Sequence, residues 1–475
     1  MPNYLTKNVE IIIYGLGISG IASAKYIANH YQNKIILSDD NISAIENAKK
    51  QLAVIKEKII FKNANNIEFN CNSLIICAPG IPIHIPPHPI LQKAIKLGAN
   101  IICDIELFFD INKHQNFAAI TGTNGKSTCT TLVHHILQKL NLNCEIGGNI
   151  GVAAFDMRHN KKDIINYILE LSSYQIDLLK KTTIGVAAIT NITQDHIKRY
   201  GNVENYANSK MQIFNNQNYG DFAIFNIDNK LCNEFYRKFL KINVKQNLVA
   251  ISTTRLLKDG ISLIDNQIIV NYRKIKLSFN INPQYLVGAH NIENILTSFA
   301  IIFCHYLRNY NNIDISTKIV EISDAINGFK GLKHRLEYIG KINNIKFYND
   351  SKATNAQSTI NALKALNNIL WIVGGQDKTD GIEPLLPYFN KIKKAYLIGD
   401  SSDRFARFFK KNNVKYELCH ILETATKKAF YDAKNNRISQ ETILLSPACA
   451  SFDQWQNFEH RGNAFYNIFN ELSNN

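Results

Sequence analysis

The stretch Ala119–Leu132 reads AITGTNGKSTCTTL. Gly122 and Gly125 are small enough to let backbone amides converge on phosphate oxygens. Lys126 neutralises phosphate charge, and the Ser127 hydroxyl is placed to ligate Mg²⁺. Thr123 and Asn124 fill the loop, and Thr128 follows it into a helix. The usual triphosphate loop has a glycine five residues before the Gly-Lys pair. Ile120 stands there in this chain, so the loop is a compact one. A second candidate is Gly15-Leu16-Gly17-Ile18-Ser19-Gly20, a complete G-x-G-x-x-G between a strand and a helix, with Asp39 ending the next strand. Gly15 and Gly17 let the backbone approach a pyrophosphate, and Ile18 and Ser19 open a helix whose N-terminus faces the anion. The bland reading is a glycine-rich turn without a ligand. A chain with both motifs handles a nucleotide diphosphate in one unit and a triphosphate in the next, which a simple dehydrogenase does not require.

These residues need rigid elements behind them. VEIIIYG reads as a buried strand, SGIASAKYIANH as a helix, KIILSD as a strand, and SLIICAPGI as a strand ending in a turn. This is βαβ patterning around a parallel sheet. DIELFFD (104–110) predicts a short helix leading into a second unit. There FAAITG, YILELSS and GVAAITNI are strands, KSTCTTLVHHILQKL and NIENILTSFAIIFCHYL are helices, and GISLIDNQIIVNYRKIKLSF suggests a hairpin. Near Gly331 a third unit begins, with strands KFYNDS, NILWIVGG, KAYLIGD and ETILLSPA. The fold class expected is α/β, as three tandem α/β domains over residues 1–104, 105–331 and 332–475. Ligands of open α/β sheets bind at the carboxyl ends of strands, where nearly every residue of interest falls. Three such sheets imply a site closed by domain movement.

With 475 residues the chain is long enough for several cores. The net charge of +15 raises a nucleic-acid binder. The basic residues are scattered rather than gathered into a stripe, so a general Lys, Asn and Ile bias explains the charge better, and no nucleic-acid partner is expected. Nine cysteines, an odd number without a Cys-x-x-Cys pair, fit a reducing cytosol. Lys7, the apolar run from Ile11 and Ala22-Ser23-Ala24 imitate a secretory signal, but the spaced glycines and Glu10 argue against one. No apolar run approaches the roughly 20 residues of a membrane span, so no insertion is expected.

The paired motifs, with GTNGKST itself, resemble the Mur ligase family. APGIP, DIELF, GGNIG, ELSSYQ, TNITQDHIKRY, GAHNIEN, KHRLE, NDSKATN and SPACASFDQWQNFEHRG follow in the family's order over residues ~10 to ~465. NDSKATN and SPACASFDQWQNFE are specific to its D-glutamate-adding branch. The resemblance implies an N-terminal Rossmann-like UDP-binding domain, a central P-loop ATPase-like domain and a C-terminal Rossmann-like domain. It implies a cytoplasmic monomer that joins D-glutamate to UDP-N-acetylmuramoyl-L-alanine, using ATP and two Mg²⁺, through an acyl phosphate.

The resemblance also carries residue roles. Ser127, Glu170, His196 and an N-carbamylated Lys210 are the implied metal ligands. Read alone, Lys210 is a solvated helix lysine and His196 a core histidine. Lys126, Glu170, His196, Lys210 and His334 are the implied catalytic set. Beyond the phosphate loop from Gly122 to Thr128, the ATP contacts implied are Asn291, Asn294, Arg335, Asp350 and Lys352. The UDP-linked substrate is assigned Gly15, Gly17, Ile18, Ser19, Asp39, Asp40, Asn149, Ser172 and His196. D-Glutamate is assigned Thr354, Lys378, Ser451, Phe452 and Phe458, the phenyl rings having a core role as their alternative. The chain departs from the common pattern at Ser38-Asp39-Asp40-Asn41, where members often carry a basic residue near the uracil, and at Ala78 and Lys333. Three other readings remain: another member of the family with a different amino acid, a nucleotide-binding oxidoreductase, and a nucleic-acid-stimulated ATPase.

Overall fold

Runs of isoleucine and leucine with no polar alternation form strands buried on both faces, as parallel sheets require. In the computed structural model, which describes residues 2–83, 86–159, 162–310, 313–376, 381–435 and 440–474, they build three sheets. The first contains β1 (Glu10–Tyr14), β2 (Ile35–Ser38), β3 (Ile59–Phe61), β4 (Ser73–Cys77) and β5 (Asn100–Ile102), in the order β3-β2-β1-β4-β5 and parallel throughout. The short edge strands β3 and β5 were not evident in the sequence.

The second sheet follows in the chain with β6 (Asn116–Thr121), β7 (Cys144–Gly148), β8 (Asn166–Glu170), β9 (Val186–Ile189), β10 (Phe222–Asn226), β11 (Asn247–Ser252), β12 (Gly260–Ile264), β13 (Gln267–Tyr272) and β14 (Ile275–Asn280). Their order is β14-β13-β12-β11-β10-β9-β6-β8-β7. The expected hairpin is a three-stranded antiparallel meander, β12 to β14, whose first strand extends the parallel sheet through β11. The triphosphate loop sits where β6, flanked by β8 and β9, runs into the helix Lys126–Lys139.

The third sheet has β15 (Glu337–Ile342), β16 (Ile345–Asn349), β17 (Ile369–Gly374), β18 (Ile392–Ile398), β19 (Tyr416–His420) and β20 (Thr442–Leu445), ordered β15-β16-β20-β17-β18-β19. Only β15 is antiparallel to its neighbour.

The chain divides into two compact units: Met1–Ile281 with Glu293–Ala325, and Asn282–Ile292 with Ile326–Asn475. The first holds two sheets because the helix Asp104–Ile111 is apolar on the side that meets β6 and β8. Phe108 packs edge-on against Phe117, Phe155 and Tyr167, and Phe109 lies 4.1 Å from Phe117 between ring centroids. Each such buried ring contributes about 1.5–3 kcal/mol. Glu106 of the same helix is also buried. Its carboxylate accepts from the Tyr4 hydroxyl, the backbone N–H groups of Lys180, Lys181 and Thr182, and the Thr182 hydroxyl.

Candidate active site

A left-handed glycine starts the phosphate-binding helix. Gly125 has φ +84° and caps Lys126–Lys139. A Cβ there would lie 2.2 Å from Asn294 Oδ1, so only glycine fits. The Lys126 ammonium donates to the carbonyls of Gly122 (3.0 Å) and Thr123 (2.9 Å). Thr123 is held by the Tyr206 hydroxyl and by Thr193, and the Asn124 N–H by Asn191. Ser127 is buried at the helix start.

Around this loop lies a cleft of about 600 Å³. Its walls include Ile18 and Ser19 from the N-terminal glycine turn, Lys126, Asn149 and Ser172 from strand ends, and His196 and Lys210. The sequence therefore named residues that the fold does gather. Glu170 ends β8 beside Ile120 of β6 and Gly148 of β7. It is buried, and Oε1 accepts from Asn149 Nδ2 at 3.0 Å. Oε2 is buried and has no hydrogen-bond partner. Ser172 forms a capping box with Gln175.

Lys210 is not the solvated lysine that its sequence context suggests. It sits in the helix Val203–Met211 with 1% of its surface exposed. Its Nζ lies 3.3 Å from Thr121 Oγ1 and 4.7 Å from the Tyr206 ring centroid. Burial, reinforced by the Lys126 charge, lowers its pKa to about 7. His196 is in the left-handed region at φ 52° and meets the Tyr174 hydroxyl through Nδ1 at 3.0 Å. Burial holds its imidazole below the usual range; Asp195 opposes this, while Lys210 and Lys126 add to it. The ring is therefore neutral at neutral pH, as a metal ligand must be.

Asp39 and Asp40 do not line this cleft. Asp39 Oδ2 accepts from the Leu16 N–H at 2.6 Å and Oδ1 from the Asn41 N–H at 2.8 Å, so this acid shapes the glycine turn. Asp40 meets the Tyr14 hydroxyl at 2.6 Å and His88 Nε2 at 3.0 Å. Gly15 lies under Ser38, its N–H donating to the Ser38 carbonyl, and Gly17 caps the helix Ile18–His30.

The second unit gathers its own set at the ends of β16 and β20. His334 is buried with φ 63°, and Leu336 also has a positive φ of 45°. Asp350 Oδ1 accepts from the Leu336 N–H at 3.0 Å and Oδ2 from the Ser446 hydroxyl at 2.7 Å. Burial raises its pKa to about 7 against these bonds and Arg335. Asn349 Nδ2 donates to His334 Nδ1 at 3.0 Å, which leaves the ring hydrogen on Nε2. Lys352 Nζ lies 5.0 Å over the Phe458 ring. Thr354 and Phe458 are half-buried, Ser451 is buried and Phe452 is 65% exposed. Asn291 is buried and donates to the Val287 carbonyl, and Arg335 is half-buried. Lys378 lies outside the described residues.

Arg461 was not singled out from the sequence, although it sits in the FEHRG motif. Its guanidinium is 1% exposed and donates to Ser351 Oγ, the Ser351 carbonyl and the carbonyls of Cys449 and Ala450. A lone arginine reads as a surface charge; only its burial identifies it as a tie between two loops. Tyr206 and Thr121 were missed for a similar reason, since their role is to surround Lys210.

Gly462 packs directly under His334. A Cβ at Gly462 would lie 2.1 Å from His334 Nδ1. Gly462→Ala is therefore expected to displace the imidazole and to destabilise the second unit by about 1–3 kcal/mol. Urea unfolding of the variant beside the wild type checks this.

Residues 120–302 match the Mur ligase middle domain, and residues 334–449 the Mur ligase glutamate ligase domain. The UDP-N-acetylmuramoylalanine–D-glutamate ligase of Rickettsia prowazekii is 39% identical over 97% of this chain and 98% of its own length. Its counterpart in Rickettsia felis is 43% identical over 83% of each chain, and that of Wolbachia pipientis is 35% identical over 99% and 98%. Among solved structures, the UDP-N-acetylmuramate–alanine ligase of Thermotoga maritima superposes with a TM-score of 0.54 at 17% identity, covering 98% of this chain and 99% of that one. A second likeness, to MurF from Acinetobacter baumannii, has a TM-score of 0.55 at 13% identity over 87% and 92%.

Proposed function

The chain belongs to the Mur ligase family, and from that premise we propose that it joins D-glutamate to UDP-N-acetylmuramoyl-L-alanine in peptidoglycan precursor synthesis, forming ADP and phosphate. One observation carries the reading at the level of chemistry. A single cleft is lined by a triphosphate-loop lysine, a buried lysine of lowered pKa and Asn149, whose amide bonds a strand-end glutamate that has a second oxygen without a partner.

Such a ligase must bring a carboxylate against a triphosphate, so the site must collect positive charge. Lys126 supplies part of it. The donors suit Mg²⁺: Glu170 Oε2 is buried and unpaired, and the His196 ring is neutral. We assign Ser127, Glu170, His196 and carbamylated Lys210 to two ions. No group of three or more His, Cys, Asp or Glu is assembled for a metal among the described residues. That fits a site completed by a serine, a modified lysine and phosphate oxygens. Bound there, the ions would neutralise the phosphates and polarise the transferring group. In its protonated form the unmodified lysine is a cation and would repel them. Its neutral Nζ attacks CO₂, a C–N bond forms, a proton leaves, and the product is an anion on a long arm.

The substrate carboxylate then attacks the γ-phosphorus, the bond to the β–γ bridging oxygen breaks, ADP leaves and an acyl phosphate forms. The deprotonated amine of D-glutamate attacks the acyl carbon, and phosphate leaves from the tetrahedral intermediate. We assign Asn149 and Ser172 to the UDP-linked substrate, together with the glycine turn from Gly15 to Ser19. Asn291, Asn294, Arg335, Asp350 and Lys352 are assigned to ATP, and His334 to the acyl phosphate. Thr354, Lys378, Ser451, Phe452 and Phe458 are assigned to D-glutamate. The same proposal takes residues 1–104, 105–331 and 332–475 as the UDP-binding, ATP-binding and amino-acid-binding domains of a cytoplasmic monomer. No described helix is long and apolar enough to cross a membrane.

The test mixes the protein with Mg-ATP and UDP-N-acetylmuramoyl-L-alanine and then adds one amino acid. Phosphate release is expected to start with D-glutamate and not with L-alanine, L-lysine or a diaminopimelate. Release indifferent to D-glutamate defeats the assignment.

A further inference from the structure

Two buried acids sit two residues apart in the helix Asp104–Ile111, and they are treated differently by the fold. Glu106 is saturated by donors from Tyr4 and residues 180–182. Asp104, 4% exposed, keeps Oδ1 buried and without a hydrogen-bond partner. A buried carboxylate oxygen left unpaired costs on the order of 1–3 kcal/mol or more, so a fold that satisfies one acid so fully has a use for the other. Burial accordingly raises the Asp104 carboxyl to about 6, with only the backbone N–H groups at the helix start opposing.

The side chain has a place to act. Asp104 lines the same cleft as Ser19, Gly80, Asn149, Gln175 and Lys126. It follows β5, the edge strand of the first sheet. Its neighbour Cys103 touches the Gln175 carbonyl through Sγ at 3.6 Å, which places Asp104 where the first sheet meets the second. On the first sheet lies the glycine turn suited to a diphosphate, and on the second the loop suited to a triphosphate. The part of the substrate that joins its diphosphate to its reacting carboxylate is the sugar. That sugar offers two free hydroxyls and an acetamido N–H, all donors, and the Asp104 carboxylate at the cleft wall is an acceptor.

Resting on the ligase reading above, we propose that Asp104 is a specificity-determining residue that accepts a hydrogen bond from a hydroxyl or acetamido N–H of the muramoyl sugar. None of the roles assigned above uses it. An acceptor held in a dry wall discriminates strongly against a sugar lacking the donor, because the lost bond leaves the oxygen buried and unpaired again.

The experiment uses the full-length enzyme, Asp104→Ala and Asp104→Asn, with UDP-N-acetylmuramoyl-L-alanine and analogues lacking the 4-hydroxyl, the 6-hydroxyl or the acetamido N–H. Asp104→Ala is expected to raise KM for the UDP-linked substrate about 10- to 100-fold, leaving KM for ATP and D-glutamate unchanged. Asp104→Asn keeps a neutral acceptor at the same place and is expected to fall between. One analogue is expected to be penalised with the wild type and not with Asp104→Ala. Equal analogue penalties in all three proteins, an unchanged KM, or a uniform loss in all three substrates with a lower Tm would each overturn the proposal. A wild type that releases no phosphate with the natural substrate would instead defeat the ligase reading, a separate outcome.

Discussion

Lys210→Ala is expected to lower the ligation rate by about 10²- to 10³-fold and to recover part of it when formate or acetate is added. The wild-type amine sits in a wall where the charged form is disfavoured, with its pKa lowered to about 7. Above that value the neutral amine dominates and, on the carbamate assignment proposed above, takes up CO₂; below it the ammonium dominates, and it has no lone pair for the reaction. Wild-type activity is therefore expected to fall on the acid side of about 7, reversibly, and to respond to added bicarbonate. The small carboxylates stay ionised through that range, so the rescued variant is expected to lose this acid limb. Rates across pH, with and without formate, test both halves. A fully active variant, or one indifferent to carboxylates, removes the carbamate from the mechanism.

Lys126→Ala is expected to have an effect at least as large, about 10³-fold on phosphoryl transfer, and for two separable reasons. The first is direct: the triphosphate loses its loop cation. The second follows from the like-charge effect of Lys126 on Lys210. Without that neighbour the Lys210 ammonium holds its proton more tightly, so less carbamate is present at neutral pH. Raising the pH should then restore the carbamate but not the rate. Carbon-13 spectra in labelled bicarbonate follow the first quantity and phosphate release the second. Turnover within a few-fold of wild type would show that the loop does not hold the reacting phosphates.

Much of this was legible in the residues. β1, β4, β6, β8 and β17 announce themselves as unbroken apolar runs, and both glycine motifs lie where strand passes to helix. The edges were not legible. β3 and β5 have three residues each, and β19 (YELCH) alternates in polarity with a net of charged neighbours. Short edge strands depend on pairing with a partner rather than on their own pattern. The site divides in the same way. Lys126 follows from local spacing, because a loop between strand and helix is local, and Glu170, named by the family resemblance, ends a strand that its own apolar run makes legible. Lys210 depends on Thr121, Tyr206 and Lys126, which are distant in sequence, so its spacing reads as a solvated lysine; the family resemblance singled it out, and its burial is what the fold adds. Asp39 shows a use that the fingerprint does not announce: the fold employs it to fasten Leu16 in the glycine turn.

The buried guanidinium of Arg461 has a consequence for the amine that enters last. It bonds Ser351 on one loop and Cys449 and Ala450 on another. The two segments carrying Lys352 with Thr354, and Ser451 with Phe452, are thereby fixed to one post. A small zwitterion such as an amino acid has few atoms with which to offset the ordering of a floppy receptor. On the D-glutamate assignment proposed above, the Arg461 post sets the spacing of these two segments when the chain folds, so that part of the ordering does not have to accompany binding.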